Sequence, residues 1–214
     1  MAGPVVLRID AASGPYNEQV LFSGVIPGSS ATNTLRLTGN TTREVITFNP
    51  SISNLQHTIR LQSAKHIILD SLTINNTGTS LGVGVHLVTA SDSNFVKNSN
   101  INISLASTSF SNSAGIAIST NTSNVTSAGN NGNKNIIDNN TINGGYYGIV
   151  AMGINTTTFN TNNQIINNRL SGQALNGIYV YYQDLIKING NNVDNMLSTS
   201  TGAAGISASY IERF

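Results

Sequence analysis

The sequence predicts an all-β fold, a right-handed single-stranded parallel β-helix of about seven coils. Three observations predict it: a short pattern of apolar and polar positions that repeats, a glycine that returns at a nearly constant interval, and a composition rich in turn-forming residues. A period near 30 residues is typical of solenoids, in which each repeat contacts only its neighbours.

The clearest repeat begins within residues 135–151 and places a small polar residue between two apolar ones. Its copies are Ile67-Asp70-Leu72, Val96-Ser99-Ile101, Ile137-Asn140-Ile142, Ile165-Asn168-Leu170 and Ile188-Asn191-Val193. Side chains at the same position of successive coils stack on one another. We therefore expect the polar positions to form a turn ladder that bonds otherwise buried polar groups; its members are Asp70, Ser99, Asn140, Asn168 and Asn191.

Each copy is followed by a glycine that opens a short alternating strand. The glycines are Gly84, Gly115, Gly148, Gly177 and Gly205, at intervals of 31, 33, 29 and 28 residues. Alternation of apolar and polar residues is the signature of a strand with one buried side. The pattern predicts that this is the third strand of every coil.

The first third of the chain is less regular. Short β-rich runs bounded by turn residues predict about two early coils, whose third strands would be residues 34–37 and 58–61. Residues 1–3 are expected to be a start added for expression. Residues 4–214 would be the β-helix domain, a fragment of a longer secreted chain.

Composition and charge exclude several classes of protein. The net charge is +1 and the basic residues form no cluster in sequence, which argues against a nucleic-acid partner. With no cysteine, disulfides and zinc–thiolate sites are impossible. No apolar run is long enough to insert into a membrane, and the three histidines have no metal-ligand spacing, so we predict no metal and no cofactor.

The repeated N-x-I and G-I-x-I elements resemble right-handed parallel β-helix proteins of the pectate-lyase-like superfamily. Residues 14–20 and 27–34 look like the first coil of β-helix regions in large secreted or surface proteins of Bacteroidetes-type bacteria. The resemblance implies an extracellular or cell-surface location. It also implies that the third strands and their loops hold a polysaccharide or surface glycan.

Outward positions of the third strands carry aromatic residues late in the chain. Tyrosine offers an apolar ring and a hydroxyl, which suits a sugar ring. We therefore expect a carbohydrate-binding surface, although the same rings could instead pack beneath a loop; its candidate residues are Tyr179, Tyr181, Met152, Tyr146, Tyr147 and Tyr182.

Earlier third strands carry basic residues instead. Arg36, Arg60 and His86 could hold a uronate, because arginine presents a planar fork that matches a carboxylate. In lyases of the superfamily a basic residue removes a proton next to a carboxylate that arginine or calcium neutralises. The resemblance makes His86 beside Arg60 the best catalytic candidate.

Acidic residues argue against catalysis, because the third strands show neither a calcium cluster nor the paired aspartates of a hydrolase. We therefore favour a non-catalytic carbohydrate-binding or adhesive module. The alternatives are a polysaccharide lyase acting on uronate-containing glycans and a structural stalk. An ice-binding protein is disfavoured because the threonines cluster in loops. Residues 210–214 suggest no polar cap, so we expect further coils or end-to-end stacking.

Overall fold

The protein is a parallel β-helix, as the sequence predicts. The computed structural model describes residues 1–40, 43–198 and 202–213. In this part of the chain every coil contributes a strand to each of three sheets, and all of the strand pairs within the sheets are parallel. The fifth coil contributes two strands to the third sheet, Tyr147–Met152 and Asn160–Thr161. Seven coils result.

Successive coils supply the strands of each sheet in chain order. The first sheet contains Val5–Arg8, Leu35–Thr38, Ile67–Asp70, Phe95–Lys97, Ile136–Asp138, Gln164–Ile166 and Lys187–Asn189. The second sheet contains Tyr16–Asn17, Val45–Phe48, Thr73–Asn76, Asn100–Ile103, Thr141–Asn143, Arg169–Ser171 and Asn192–Asp194. The third sheet contains Val20–Ser23, His57–Gln62, Gly82–Val88, Ser113–Ser119, Tyr147–Met152, Asn160–Thr161, Asn176–Asp184 and Ala204–Ile211. A short 3-10 helix covers Ser53–Leu55.

The core lies inside the coils and is built from stacked aliphatic side chains. Ile74, Ile101, Ile142 and Leu170 follow one another in register along the second sheet, and each is fully buried. Burial of such columns is the main favourable term in folding. No helix in the described ranges is long and apolar enough to cross a lipid bilayer.

The recurring glycine is required by the distance between the third sheet and the core. A Cβ atom built on Gly148 would lie 2.4 Å from Leu170 Cδ2 and 2.5 Å from the carbonyl oxygen of Gly177. Gly84, Gly115 and Gly177 meet equally short contacts with the core residue beside them. The third strand therefore approaches the core too closely for any larger residue.

An asparagine ladder fixes the turn between the first and second sheets. The Asn140 Oδ1 atom accepts a hydrogen bond from the Ser99 amide at 3.1 Å, and its Nδ2 atom donates to the Val96 carbonyl at 2.9 Å and to Asn168 Oδ1 at 3.0 Å. Asn168 bonds Asn191 in the same way. The ladder satisfies backbone groups that the tight turn would otherwise leave buried and unpaired.

Asp70 is not a member of this ladder, and the prediction that it would be is wrong. Leu69, not Ile67, pairs with Val96, so Leu72 takes the ladder position and its amide donates to Ser99 Oγ at 3.2 Å. Ile67 and Leu69 both point inwards. Because side chains alternate along a strand, an alignment shifted by two residues fits the apolar pattern equally well. Asp70 faces outwards from the first sheet.

The first two coils are also divided differently from the prediction. Residues 34–37 are not a third strand, because Leu35–Thr38 pairs with Ile67–Asp70 in the first sheet. Val20–Ser23 is the third strand of the first coil, and it pairs with His57–Gln62, which includes the predicted strand at 58–61. Short alternating strands look alike in sequence whichever sheet they join.

A second asparagine ladder, which the sequence reasoning missed, stabilises the turn into the first sheet. The amide of Ile67 donates to Asn94 Oδ1 at 3.0 Å, that of Asn94 to Asn135 Oδ1 at 3.0 Å, and that of Asn135 to Asn163 Oδ1 at 2.9 Å. Each of these asparagines lies two residues before the inward apolar residue of its strand. That spacing could have identified the second ladder from the sequence.

Candidate functional site

The outer side of the third sheet presents two columns of residues in register along the axis. The first column is Leu21, Arg60, His86, Ala117, Val150, Tyr179 and Ser207. The second includes Gln62, Val88, Ser119, Met152, Tyr181 and Ser209. Arg36 belongs to neither, since its strand lies in the first sheet, where its guanidinium pairs with Asp70.

The basic end of this side is a buried polar cluster. Arg60 and His86 are paired in register, with His57 on the strand of Arg60. His86 is completely buried, His57 is 1% exposed and Arg60 is 9% exposed. A ring nitrogen of His86 lies 2.7 Å from Ser119 Oγ, and Arg60 donates to the Asn54 carbonyl at 3.0 Å.

Burial keeps both histidines neutral. Loss of solvent lowers the pKa of His86 to about 3, and the nearby His57 and Arg60 add to the effect. Burial, followed by the charge of Arg60, likewise lowers the pKa of His57 to about 3. Because desolvation penalises the charged form, both imidazoles are neutral at neutral pH and cannot act as imidazolium acids.

Loops cover the middle of the third sheet on its outer side. Val125, in the segment after Ser113–Ser119, is fully buried against Ala117 and Val150. Its amide donates to the Ser111 carbonyl at 2.8 Å, which joins the two covering loops. A polysaccharide on the surface therefore cannot reach His86.

The prediction that His86, Arg60 and Arg36 could act together as a catalytic group is wrong. His86 and Arg60 are neighbours, but His86 is inaccessible and Arg36 lies on a different sheet. A general base must come within hydrogen-bond reach of the proton that it removes. The neighbouring His57 is a buried member of the same cluster.

The aromatic end is a continuous cluster of rings that spans four consecutive coils. We call it the aromatic cluster; its members are Phe110, Tyr146, Tyr147, Tyr179, Tyr181, Tyr182 and Tyr210. Tyr179 stacks on Tyr147 with ring centroids 5.2 Å apart and on Tyr181 at 5.8 Å. Tyr210 lies 5.2 Å from Tyr181 and 5.1 Å from Tyr182.

Only part of the aromatic cluster can contact a ligand. Tyr147 is 1% exposed and Met152 is 5% exposed, so their predicted direct role in binding is wrong, and they support the rings above them. Tyr146, Tyr179, Tyr181 and Tyr182 are partly exposed. The most accessible rings are Phe110, at 55%, and Tyr210, at 54%.

Phe110 and Tyr210 were missed by the sequence reasoning. Phe110 lies in an irregular loop before Ser113–Ser119, and Tyr210 has a left-handed backbone, with φ of 52°. Neither position follows from strand alternation. Their exposed rings extend the accessible surface at both ends of the stack.

The electrostatics of the aromatic cluster favour neutral ligands. Burial, followed by the neighbouring phenols, raises the pKa of Tyr147 and of Tyr179, so both hydroxyls stay protonated. Among the described residues, the one contact between a cation and the face of an aromatic ring joins Lys97 to Phe95 on the first sheet, outside the aromatic cluster. No group of three or more His, Asp or Glu side chains converges as a metal site within the described ranges.

Comparison with solved structures finds two matches of the same fold. A pectate lyase, Pel9A, superposes with a TM-score of 0.55 at 13% identity, over 95% of this chain and 47% of the lyase. PfbA, a surface adhesin of Streptococcus pneumoniae, superposes with a TM-score of 0.52 at 14% identity, over 96% of this chain and 49% of the adhesin. The chain thus spans about half of the length of each.

Sequence comparisons add nothing to these matches, since no family model matches and no curated protein matches. Sequence identities of 13% and 14% show a similarity of fold and nothing more. A Bacteroidetes-type parent protein stays an expectation. The chain has the pectate-lyase-like parallel β-helix fold.

Proposed function

We propose that the chain is a non-catalytic carbohydrate-binding or adhesive module of an extracellular or cell-surface protein. The observation that supports this proposal is the aromatic cluster, which leaves accessible rings on four consecutive coils of a rigid sheet. Aromatic rings with a hydroxyl at one end are the side chains that best suit the mixed apolar and polar surface of a sugar. Strands of the β-helix hold four of these rings, so they need no loop to become ordered on binding; they are Tyr179, Tyr181, Tyr182 and Tyr210.

The chemistry of the aromatic cluster suits a neutral glycan. Its inner rings stack on one another, so a ligand would meet ring edges and hydroxyls along Tyr179 and Tyr181 and open ring faces at Phe110 and Tyr210. Phenol hydroxyls both donate and accept hydrogen bonds, which matches sugar hydroxyls. A polysaccharide chain would lie along the helix axis.

The lyase alternative has weaker support. One structural match is described as a pectate lyase and the other as a surface adhesin, so the fold is compatible with either activity. In this chain, however, the basic residues of the third sheet are beneath loops, and the lowered pKa values of His57 and His86 make both imidazoles weak bases. A structural stalk would have no use for accessible aromatic side chains, so the aromatic cluster also gives that alternative weaker support.

A glycan array with matched variants tests the proposal. We expect wild-type protein to bind a neutral polysaccharide, and Tyr181→Ala/Tyr210→Ala to weaken its affinity by about tenfold or more, because aromatic side chains dominate such contacts. Tyr16→Phe, at the opposite end of the β-helix, should bind as the wild type does. Equal binding by wild type and the double variant would refute the assignment of this surface.

We further propose that the terminal coils associate end to end with a second copy. The first coil leaves a hollow of about 400 Å³ lined by inward residues such as Leu7, Val20 and Phe22, and Ile206 of the last strand is 49% exposed. Exposed apolar edges with unpaired backbone groups favour pairing. A sedimentation coefficient that stays constant over a hundredfold range of concentration, roughly the range in which weak association appears, would contradict this proposal.

A further inference from the structure

The outer side of the first sheet is a basic surface whose cations fall in several columns. Six of the seven coils each place one there, on the strand or on the turn that leads into it; the residues are Arg8, Arg36, Lys65, Lys97, Lys134 and Lys187. They include all four lysines of the chain. Arg8 and Lys97 share one register position and Arg36 and Lys187 share another. Lys65 and Lys134 lie on the turns that lead into their strands. Neighbouring coils lie about 4.8 Å apart. Most coils therefore add one positive charge to this side of the β-helix, at differing positions across the sheet, and the sixth coil adds none.

The basic surface keeps a net positive charge after its ion pairs are counted. Asp70 pairs with Arg36 and, at 3.6 Å, with Lys97, and Asp92 pairs with Lys65 at 2.6 Å. With Asp138, the same strands and turns hold three acids against six bases, while the whole chain has a net charge of only +1. Within the described ranges, no ion pair is formed by Arg8, Lys134 or Lys187.

An apolar stripe lies between these charges. Ile68, Phe95 and Ile136 are paired in register on three successive coils, and all three are partly exposed. They line a groove of about 260 Å³ together with His66 and Lys134. A second groove, of about 270 Å³, continues from these two residues to Lys65.

From this arrangement we propose that the outer side of the first sheet binds an anionic polysaccharide, one that carries carboxylate or sulfate groups, lying along the axis. Charge complementarity selects a polyanion, and cations spread over six coils along the axis suit an extended polymer that carries many charges. The stripe around Phe95 would contact the apolar face of a sugar ring, whereas the cations beside it bind the acidic groups. The site is separate from the aromatic cluster, which lies on the third sheet.

Other polyanions fit less well. A nucleic acid calls for a stronger positive surface and several rings for base stacking, and this stripe has one ring. An extended acidic peptide could pair its carboxylates with the cations, but it has no sugar ring whose apolar face could lie on the stripe around Phe95.

Affinity electrophoresis in gels containing alginate, dextran sulfate or uncharged dextran tests the proposal. We expect the two anionic gels to retard the protein in a salt-sensitive manner. Lys134→Glu/Lys187→Glu should weaken this binding by about tenfold or more, since each reversal replaces an attraction with a repulsion. The control Arg43→Glu/Arg169→Glu changes the net charge equally, at an exposed residue of the second sheet and an exposed residue of the turn that leads into it. It should change binding by less than about twofold.

Three results would overturn the proposal. One is the absence of retardation by either anionic gel. Another is an equal loss of binding in the two double variants, which would show a net-charge effect only. The third is tighter binding to poly-glutamate or single-stranded DNA than to either polysaccharide. Because Tyr181→Ala/Tyr210→Ala leaves the first sheet intact, that variant should keep its binding to alginate whether or not the aromatic cluster binds a neutral glycan.

Discussion

Acidification from pH 7.5 to 4.5 is expected to lower the free energy of unfolding by about 3–5 kcal/mol, through His57 and His86 together. Both have a folded-state pKa lowered to about 3, below the value of 6.5 expected after unfolding. Their contribution is therefore fully present above pH 6.5 and is lost as the pH falls toward 3. Urea unfolding followed by circular dichroism at several pH values measures it.

A pair of variants separates the buried cluster from other titrating groups. In His86→Gln, the change in stability between pH 7.5 and 4.5 should fall to about half of the wild-type change, because one of the two buried imidazoles is gone. His66→Gln removes a partly exposed histidine on the opposite side of the coil and serves as the control. A wild-type protein that is equally stable at both pH values would contradict the neutral, buried state of this cluster.

Replacement of Gly148 by alanine is expected to destabilise the protein by about 1–3 kcal/mol, the usual cost of overpacking. The new methyl group would meet Leu170 Cδ2 at 2.4 Å and the backbone oxygen of Gly177 at 2.5 Å, and backbone cannot move aside in a sheet with partners on both sides. Chemical unfolding at neutral pH gives the change directly.

Gly205→Ala is the matched control, at the same repeat position of the last coil. Its nearest neighbour would be Val193 Cβ at 3.8 Å, an ordinary contact. Because alanine also restricts the unfolded chain, this variant should lie within about 1 kcal/mol of the wild type, on either side. If Gly148→Ala is as stable as Gly205→Ala, the glycine column is not needed for packing.

The fold could be predicted because its signals repeat. Gly84, Gly115 and Gly148 return once per coil, since each meets the same close approach to the core. Where the repeat is irregular, the assignment to a sheet failed: Arg36 sits on an alternating strand, and alternation does not tell one sheet from another. Asp70 was misplaced by a shift of two residues, which leaves the apolar pattern unchanged.

The candidate site could be predicted only in part, because loops without a period decide what is accessible. The outward direction of His86 was right, but the segment containing Val125 covers this part of the sheet. Phe110 joins the aromatic cluster from such a loop. The basic surface on the first sheet emerges only when the coils are stacked, since its residues are at least 28 positions apart in sequence.

Binding without turnover is the central claim, and one assay tests it directly. Wild-type protein and Tyr181→Ala/Tyr210→Ala are each incubated with the polysaccharide that binds best, while bound protein and unsaturated sugar products are measured in the same sample. We predict saturable binding that the double variant loses, without product in either sample. Product that accumulates in proportion to the wild-type concentration and disappears in His86→Gln would contradict the account and establish a lyase.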